Sequence, residues 1–153
     1  MRKFIVALLL LSLVGCSPQV RVAGAPTSTW VSPGKVFISN YYPGARAEYE
    51  ITIHNGEDVD SGFEIAYKVP DYTDAGYAKA TEELGRYVSV GDKVVTLRPD
   101  EIRKVLVVLE VPKGIEVPWG KWEFWVSVNG EPQGSGGLGI AVGYATRWLV
   151  TMR

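Results

Sequence analysis

This chain of 153 residues contains little of what catalytic and metal sites are made from, with one cysteine and one histidine. A structural zinc site takes four ligands of the Cys, His or carboxylate type. A Ser-His-Asp triad would have to use His54, and the sequence has no G-x-S-x-G elbow to carry the nucleophile. Because one cysteine cannot form a disulfide within the chain, the fold must depend on packing and hydrogen bonds. We therefore predict a non-catalytic protein without a cofactor.

Excess positive charge and long hydrophobic runs are also absent. Basic residues number 16 and acidic residues 17, so the composition does not favour a basic face for nucleic acid. The most apolar run, residues 4–14, is much shorter than the roughly 20 residues that span a bilayer core. We therefore expect neither a nucleic-acid partner nor a membrane-spanning helix.

The N-terminal run has the layout of a secretory signal. Arg2 and Lys3 precede it, and it ends in Leu13-Val14-Gly15-Cys16. A charged start followed by a short apolar stretch is typical of a signal peptide rather than a membrane helix. An ordinary signal that is cleaved near residues 22–25, with an incidental cysteine, is the alternative.

The four residues that end in Cys16 resemble the lipobox of bacterial lipoproteins. The resemblance implies that residues 1–15 are removed and that a lipidated Cys16 becomes the N-terminus, held on the bilayer by two or more acyl chains. The two basic residues of the signal leave with it, so 14 basic residues remain against 17 acidic ones, a formal charge of −3. Residues 16–32 are rich in Pro, Ser, Thr, Gly and Ala and are predicted to be a flexible tether.

Residues 33–153 are predicted to form one domain in which the hydrophobic period is two. Residues 45–54 alternate apolar and polar side chains, which indicates a half-buried antiparallel strand. Similar patterns occur at residues 35–38, 62–69, 103–111, 121–128 and 140–152. The inward positions are predicted to include Tyr49, Ile51, Ile53, Phe63, Ile65, Tyr67, Val105, Val107, Leu109, Val111, Trp122, Phe124, Val126, Val128, Trp148 and Val150.

Three segments need separate interpretation. Residues 71–85 interrupt the alternation and are predicted to contain a short helix that is capped by Asp74. Residues 86–90 and 93–97 are predicted to form a hairpin. Residues 134–139 match G-x-G-x-x-G, but no acidic residue follows before the chain ends, so a hairpin loop is favoured over a dinucleotide site.

Seven to eight short strands at regular spacing predict an all-β, two-sheet antiparallel sandwich with one short helical insertion. The order of turn and strand motifs resembles that of the immunoglobulin-like domains of bacterial and archaeal surface proteins. The resemblance implies an immunoglobulin-like fold and a mostly non-catalytic role. Asp100 departs from the resemblance, since this family usually has Gly there. The residues that carry the resemblance are Pro43-Gly44, 51–55, Leu97-Arg98-Pro99, Val111-Pro112 and 120–124.

Aromatic side chains outside the core pattern are the candidate ligand-binding residues. They are Trp125, Trp119, Tyr72 and Tyr77. Flat aromatic faces can stack on sugar rings or anchor a protein partner. Trp125 is out of phase with the core face of its strand, so we expect it to contact a ligand, a partner or the 71–85 insertion.

The remaining candidates for a catalytic or metal-binding role are His54 and two groups of carboxylates. His54 is predicted to be a solvated residue at the end of a strand. Oxygen-rich loops can bind Ca²⁺, although EF-hand spacing is absent here, and calcium stays an open alternative. The carboxylates concerned are Glu57, Asp58 and Asp60 in one loop, and Asp71 and Asp74 in another.

These patterns predict a surface lipoprotein that acts as a non-catalytic protein-interaction or structural module. Its partners would be the lipid bilayer, through Cys16, and a protein or glycan on the extracytoplasmic side of the cell membrane or outer membrane. A carbohydrate-binding module using exposed Trp and Tyr is the alternative. A small hydrolase is a third reading, which the single histidine and the absence of paired motifs oppose.

Overall fold

Ten strands and one 3₁₀ helix account for most of the residues that the computed structural model describes, which are 28–131 and 143–153. The strand count exceeds seven to eight because three of the strands contain only two or three residues. The strands are β1 (Trp30–Ser32), β2 (Lys35–Tyr41), β3 (Arg46–His54), β4 (Ser61–Lys68), β5 (Ala78–Lys79), β6 (Val88–Val90), β7 (Val94–Leu97), β8 (Ile102–Glu110), β9 (Lys121–Gly130) and β10 (Gly143–Met152), and the 3₁₀ helix is Glu82–Tyr87.

The strands form the two sheets of a β-sandwich, which confirms the predicted fold class. The smaller sheet has the order β1-β3-β8-β6, and the larger has the order β2-β10-β9-β4-β7. β5 pairs with β9 beyond the end of β4. Among the described strands, β2–β10 and β5–β9 are parallel pairs, so the sandwich is not antiparallel throughout. The chain passes from one sheet to the other seven times, after β1, β2, β3, β5, β6, β7 and β8.

The core lies between the sheets and follows the predicted alternation. Trp148 stacks on Phe124 at 5.3 Å between ring centroids, and both side chains are fully buried. Tyr49 is one exception, with 49% of its surface exposed, because it lies where the sandwich is open at one side, and Tyr67 is the other, since it is only half-buried. The other predicted inward residues that are buried are Ile51, Ile53, Phe63, Ile65, Val105, Val107, Leu109, Val111, Trp122, Val126, Val128 and Val150.

The predicted helix in residues 71–85 is wrong in position. Gly76 has a φ of 82°, which interrupts a right-handed helix at its centre. Ala78 and Lys79 instead pair with β9, and Ala80 N–H donates to Glu123 O at 2.9 Å. The helical element that does form, Glu82–Tyr87, begins later and is a 3₁₀ helix.

The predicted hairpin of residues 86–90 and 93–97 is also wrong. β6 pairs with β8 in the smaller sheet, whereas β7 pairs with β4 in the larger one. Val88 and Val90 of β6 and Val95 of β7 thereby reach the core from opposite sheets, which a hairpin within one sheet would not allow.

β1 lies within the segment that the sequence assigns to the tether. Cys16, the predicted signal at residues 1–15 and the glycine-rich residues 134–139 lie outside the described residues. In the part of the chain that the structure describes, no helix has the length and apolar character needed to cross a membrane.

Candidate binding surfaces

Residues 71–79, the cover segment, lie against the outer face of the larger sheet. Trp125 lies beneath this segment and only 6% of its surface is exposed. The Tyr72 ring meets it edge-on at 4.9 Å between centroids, and Lys68 Nζ lies 5.5 Å from the centroid of the indole. Trp125 therefore makes one of the three contacts expected from its phase in the strand, the contact with the insertion.

Glu123 is fully buried on the same face and holds the cover segment to the sheet. Its carboxylate accepts hydrogen bonds from Arg147 at 2.6 and 2.9 Å, from Trp125 Nε1 at 2.7 Å and from Asp74 N–H at 2.8 Å. Burial by itself raises the pKa of Glu123, but these bonds outweigh it, so the pKa lies below its ordinary value. Both carboxylate oxygens are occupied in structural bonds, and the geometry leaves no lone pair for proton transfer to a substrate.

Asp74 completes this network from the cover segment. Its carboxylate pairs with Lys35 of β2 at 2.6 Å and with Arg147 of β10 at 2.8 Å. The hydrogen bond from Lys35 is the main cause that holds the pKa of Asp74 below its usual value, and Arg147 adds to it. The predicted capping residue of a helix therefore acts as an ionic link between the cover segment and two strands.

Of the other candidate aromatics, Trp119 is the most open. It is 86% exposed, in the loop before β9. Tyr72 is 61% exposed above Trp125, and Tyr77 is half-buried with Lys121 Nζ 5.7 Å from its ring centroid. The structure therefore brings Tyr72 and Trp125 into contact and leaves Trp119 available on its own.

His54 is buried, not solvated as predicted. Its side chain stacks on Trp30 at 5.2 Å between centroids, and the residue is 5% exposed. Nε2 lies 2.9 Å from Asp100 Oδ1 and Nδ1 lies 3.3 Å from Ser28 O. Asp100 has a φ of 60°, so the position where the resembled family usually has glycine keeps the left-handed turn and adds a bond to His54. The neighbours that surround this histidine lie far from it in the chain, and no local sequence pattern shows them.

The carboxylate loops do not converge on a metal site among the described residues, where no three Asp, Glu, His or Cys side chains are grouped to hold an ion. Asp71 pairs with Lys68 at 2.8 Å, and Glu57 accepts from Thr29 Oγ1 at 3.4 Å.

Sequence reasoning missed a further surface, which we call the open edge. It is the side of the sandwich where β2 is the last described strand of the larger sheet and β1 covers only residues 52–54 of β3. Phe37 stands there with 67% of its surface exposed. Edge position depends on the order of strands in the sheets, so alternation along the chain could not reveal it. The groove at this edge is lined by Val36, Phe37, Ile38, Ala47, Glu48, Tyr49 and Trp148.

Comparisons with known proteins address the fold. No protein-family model and no curated protein sequence matches this chain. Among solved structures it is similar to PapD-like domain 7 of human CEP192, with a TM-score of 0.61 and 13% identity over 99% of this chain and 98% of that one.

Bacterial chaperones are also similar. The E. coli chaperone DraB matches 82% of this chain at a TM-score of 0.56 and 14% identity, and 55% of its own chain is covered. The Salmonella enterica complex of SafA pilin with the SafB chaperone matches 82% of this chain at 0.55 and 14% identity, with 54% of that chain covered. This chain thus spans little more than half of those two. At such identities the similarity shows a shared PapD-like, immunoglobulin-like β-sandwich.

Proposed function

We propose that this protein is a membrane-tethered protein-interaction module, anchored through a lipidated Cys16 and displayed on the extracytoplasmic side. The observation that carries the interaction role is the open edge, where Phe37 is 67% exposed on a seven-residue strand. Natural proteins usually protect such an edge with charge, proline or a covering loop. The PapD-like fold of the neighbours, some of which are chaperones, is consistent with a binding role.

The anchor would leave the sandwich free to reach a partner. Residues 17–27 precede the part of the chain that contacts the sandwich and would span on the order of 40 Å if extended. β1 enters beside His54, whereas Trp119 precedes β9 at the opposite end of the sandwich. A lipid at Cys16 would therefore be attached through the end of the sandwich that lies opposite Trp119.

Metabolic labelling with a lipid precursor tests the anchor. Cys16→Ala should abolish incorporation of the label, because Cys16 is the only thiol in the chain. Undiminished label in this variant would contradict the anchor and leave the interaction role to be tested separately.

Site-specific photo-crosslinking in cells of the source organism tests the interaction. A photoreactive residue at Phe37 should capture a defined protein, and one at Val94, which is 65% exposed on the opposite sheet edge, should not. A third probe at Trp119 covers the far end of the sandwich. Absence of captured protein at all three positions would contradict the interaction role.

A carbohydrate-binding module is a second candidate, favoured by the exposure of Trp119 and Tyr72. A ring that stacks on sugar contributes binding without contributing stability. On a glycan array, Trp119→Ala should then lose binding while the melting temperature stays unchanged. A chain that binds no glycan on the array contradicts this candidate.

A further inference from the structure

We propose that His54 is a pH-sensitive clamp on residues 28–30, the entry segment, where the chain joins the sandwich. The protonated ring holds the entry segment in place, and loss of the proton releases it together with β1. The clamp depends on neither the proposed lipid anchor nor a binding partner, so it goes beyond the proposed interaction role.

Side chains and backbone from three separate parts of the sandwich hold the entry segment. Ser28 O lies 3.3 Å from His54 Nδ1 of β3, and Tyr144 of β10 donates its hydroxyl to Thr29 O at 2.6 Å. Gly56 N–H, in the loop after β3, donates to Thr29 Oγ1 at 3.0 Å. β1 contains only three residues and pairs with the end of β3. Because so short a strand has few contacts of its own, these bonds decide whether it stays in place.

The ring of His54 faces an acceptor at each nitrogen. Nε2 lies 2.9 Å from a carboxylate oxygen of Asp100, and Nδ1 faces the carbonyl oxygen of Ser28. A neutral imidazole has one N–H and can donate to one acceptor only. Its proton stays on Nε2, because a hydrogen bond to a carboxylate is stronger than one to a neutral carbonyl. The lone pair of Nδ1 then faces Ser28 O, so only the imidazolium can make both bonds.

The other contacts of the ring also strengthen when it is charged. The indole of Trp30 stacks on it at 5.2 Å between centroids, and an aromatic face attracts a cation. Burial of the His54 side chain opposes the charge, but the Asp100 carboxylate is 80% exposed and supplies the counter-charge. Pairing and stacking therefore act in the same direction as the donor count.

Histidine is the side chain that sets the pH range of the clamp. Glu101 is paired with Arg103 at 3.4 Å, and Glu57 accepts from Thr29 Oγ1 at 3.4 Å. Of the side-chain types present, only histidine ordinarily changes charge between pH 5 and pH 8. The clamp should therefore be closed near pH 5 and open near pH 8. The charged and phenolic residues on the elements around His54 are Glu57, Asp58 and Asp60 after β3, Arg98, Asp100 and Glu101 before β8, Arg103 on β8 and Tyr144 on β10.

Release of the clamp would change the reach of the chain. Residues 28–32 would join the segment that precedes the sandwich and add on the order of 15 Å when extended. Release would also uncover the edge of β3 at residues 52–54, which β1 pairs with in the closed form.

Hydrogen exchange of the full chain in detergent micelles tests the clamp. Protection of residues 28–32, corrected for the intrinsic rate, should fall about fivefold between pH 5 and pH 8, the factor expected for the loss of one hydrogen bond. Protection of residues 102–110, in β8, should stay unchanged. Constant or rising protection of residues 28–32 over this range would overturn the inference, and so would an equal fall in both segments.

Asp100→Asn separates the donor count from a general effect of pH. Asparagine tolerates the left-handed turn at this position, and its amide can donate to Nε2. The neutral ring can then carry its proton on Nδ1 and donate to Ser28 O. The entry segment of this variant should therefore stay protected at pH 8, where the unmodified chain opens. Opening of the variant at pH 8 to the same extent as the unmodified chain would overturn the inference.

Two further variants bracket the effect. His54→Gln has no group that titrates at this position, so its exchange at residues 28–32 should not vary between pH 5 and pH 8. Glu57→Gln removes a nearby charge and leaves the contacts of the ring in place, so it is the matched control and should keep the fivefold change. A His54→Gln variant that kept the change, or a Glu57→Gln variant that lost it, would overturn the clamp.

The nitrogen chemical shifts of the ring give a readout that needs no variant to fold. His54 is the only histidine, so its signals can be assigned directly. At pH 8 they should place the proton on Nε2 in the unmodified chain and on Nδ1 in Asp100→Asn. A proton on Nδ1 in the unmodified chain at pH 8 would overturn the inference, because the neutral ring would then already hold Ser28.

Discussion

Asn55 shows how one buried side chain can join two loops. The residue is fully buried, and its Nδ2 donates to the carbonyl oxygens of Val59, Leu97 and Arg98 at 2.9 to 3.1 Å. Its Oδ1 accepts from Glu57 N–H at 3.0 Å. The sequence marks Asn55 as a turn residue, but its partners in the second loop lie more than 40 positions away. Only the packed structure could identify this role.

Asn55→Asp should reduce the free energy of unfolding by about 3 kcal/mol at neutral pH, because an ionised carboxylate would face three carbonyl oxygens without a donor. Protonation restores a donor, so the loss should shrink as the pH falls. Urea denaturation at pH 7 and pH 4.5 measures both effects relative to the unmodified chain. Asn129→Asp, at an exposed position of β9, is the control and should be nearly neutral. A loss that does not change with pH would contradict the interpretation.

Trp125→Ala should reduce the free energy of unfolding by about 3–5 kcal/mol, because it removes a buried ring and its contacts with Tyr72 and Glu123. Trp119→Ala, at the 86% exposed position, should change stability by no more than about 0.5 kcal/mol. Chemical denaturation compares the two. A near-neutral Trp125→Ala that weakened binding to a partner would instead make Trp125 a ligand contact.

At the scale of elements, the cover segment shows why the local sequence pattern predicted a helix in the wrong place. Residues 71–85 contain residues that suit a helix, but β4 ends at Lys68 and leaves the start of β9 unpaired on that side. Ala78 and Lys79 fill the vacant place in the ladder. The long-range backbone pairing and the buried Glu123–Arg147 pair together outweigh a marginal helix, since short isolated helices gain little in water.

The cover segment should open in acid before the sandwich unfolds. The pKa values of Glu123 and Asp74 are both lowered in the folded protein, so their contribution is present above the ordinary carboxyl range and is lost as the pH falls through the folded values. Hydrogen exchange at residues 71–79 should therefore accelerate as the pH falls below the ordinary carboxyl range of about 4, after correction for the intrinsic rate.

Glu123→Gln supplies the control for the acid opening. It removes one of the two titrating groups and should leave the cover segment more open at neutral pH, with a weaker dependence on acid. Glu64→Gln, on the exposed side of β4, should behave like the unmodified chain. Opening that tracks global unfolding in all three proteins would contradict a local ionic link.

At the scale of the whole molecule, we expect stability without metal or disulfide. The core is a continuous set of aromatic and aliphatic side chains, the described residues contain no grouped metal ligands, and the chain has one cysteine. The melting temperature of the full chain should therefore be the same with and without chelator or reductant. A marked fall with chelator would support an ion in the carboxylate loops.

The β-sandwich class and the inward faces of the long strands could be predicted from the order of apolar and polar residues. Alternation is a property of neighbouring residues, so Val105 to Val111 and Trp122 to Val128 could be assigned to the core without knowledge of the partner strands. The same phase placed Trp125 on the opposite face and predicted a contact there.

The sheet that each strand joins, and the edge that stays open, depend on contacts between strands and could not be predicted from the sequence pattern. β6 and β7 have similar patterns yet belong to different sheets, because the choice depends on where β8 and β4 lie. The burial of His54 and Glu123 and the exposure of Phe37 follow from the same strand order. Each is set by contacts between residues far apart in the chain, and a local pattern carries no information about such contacts.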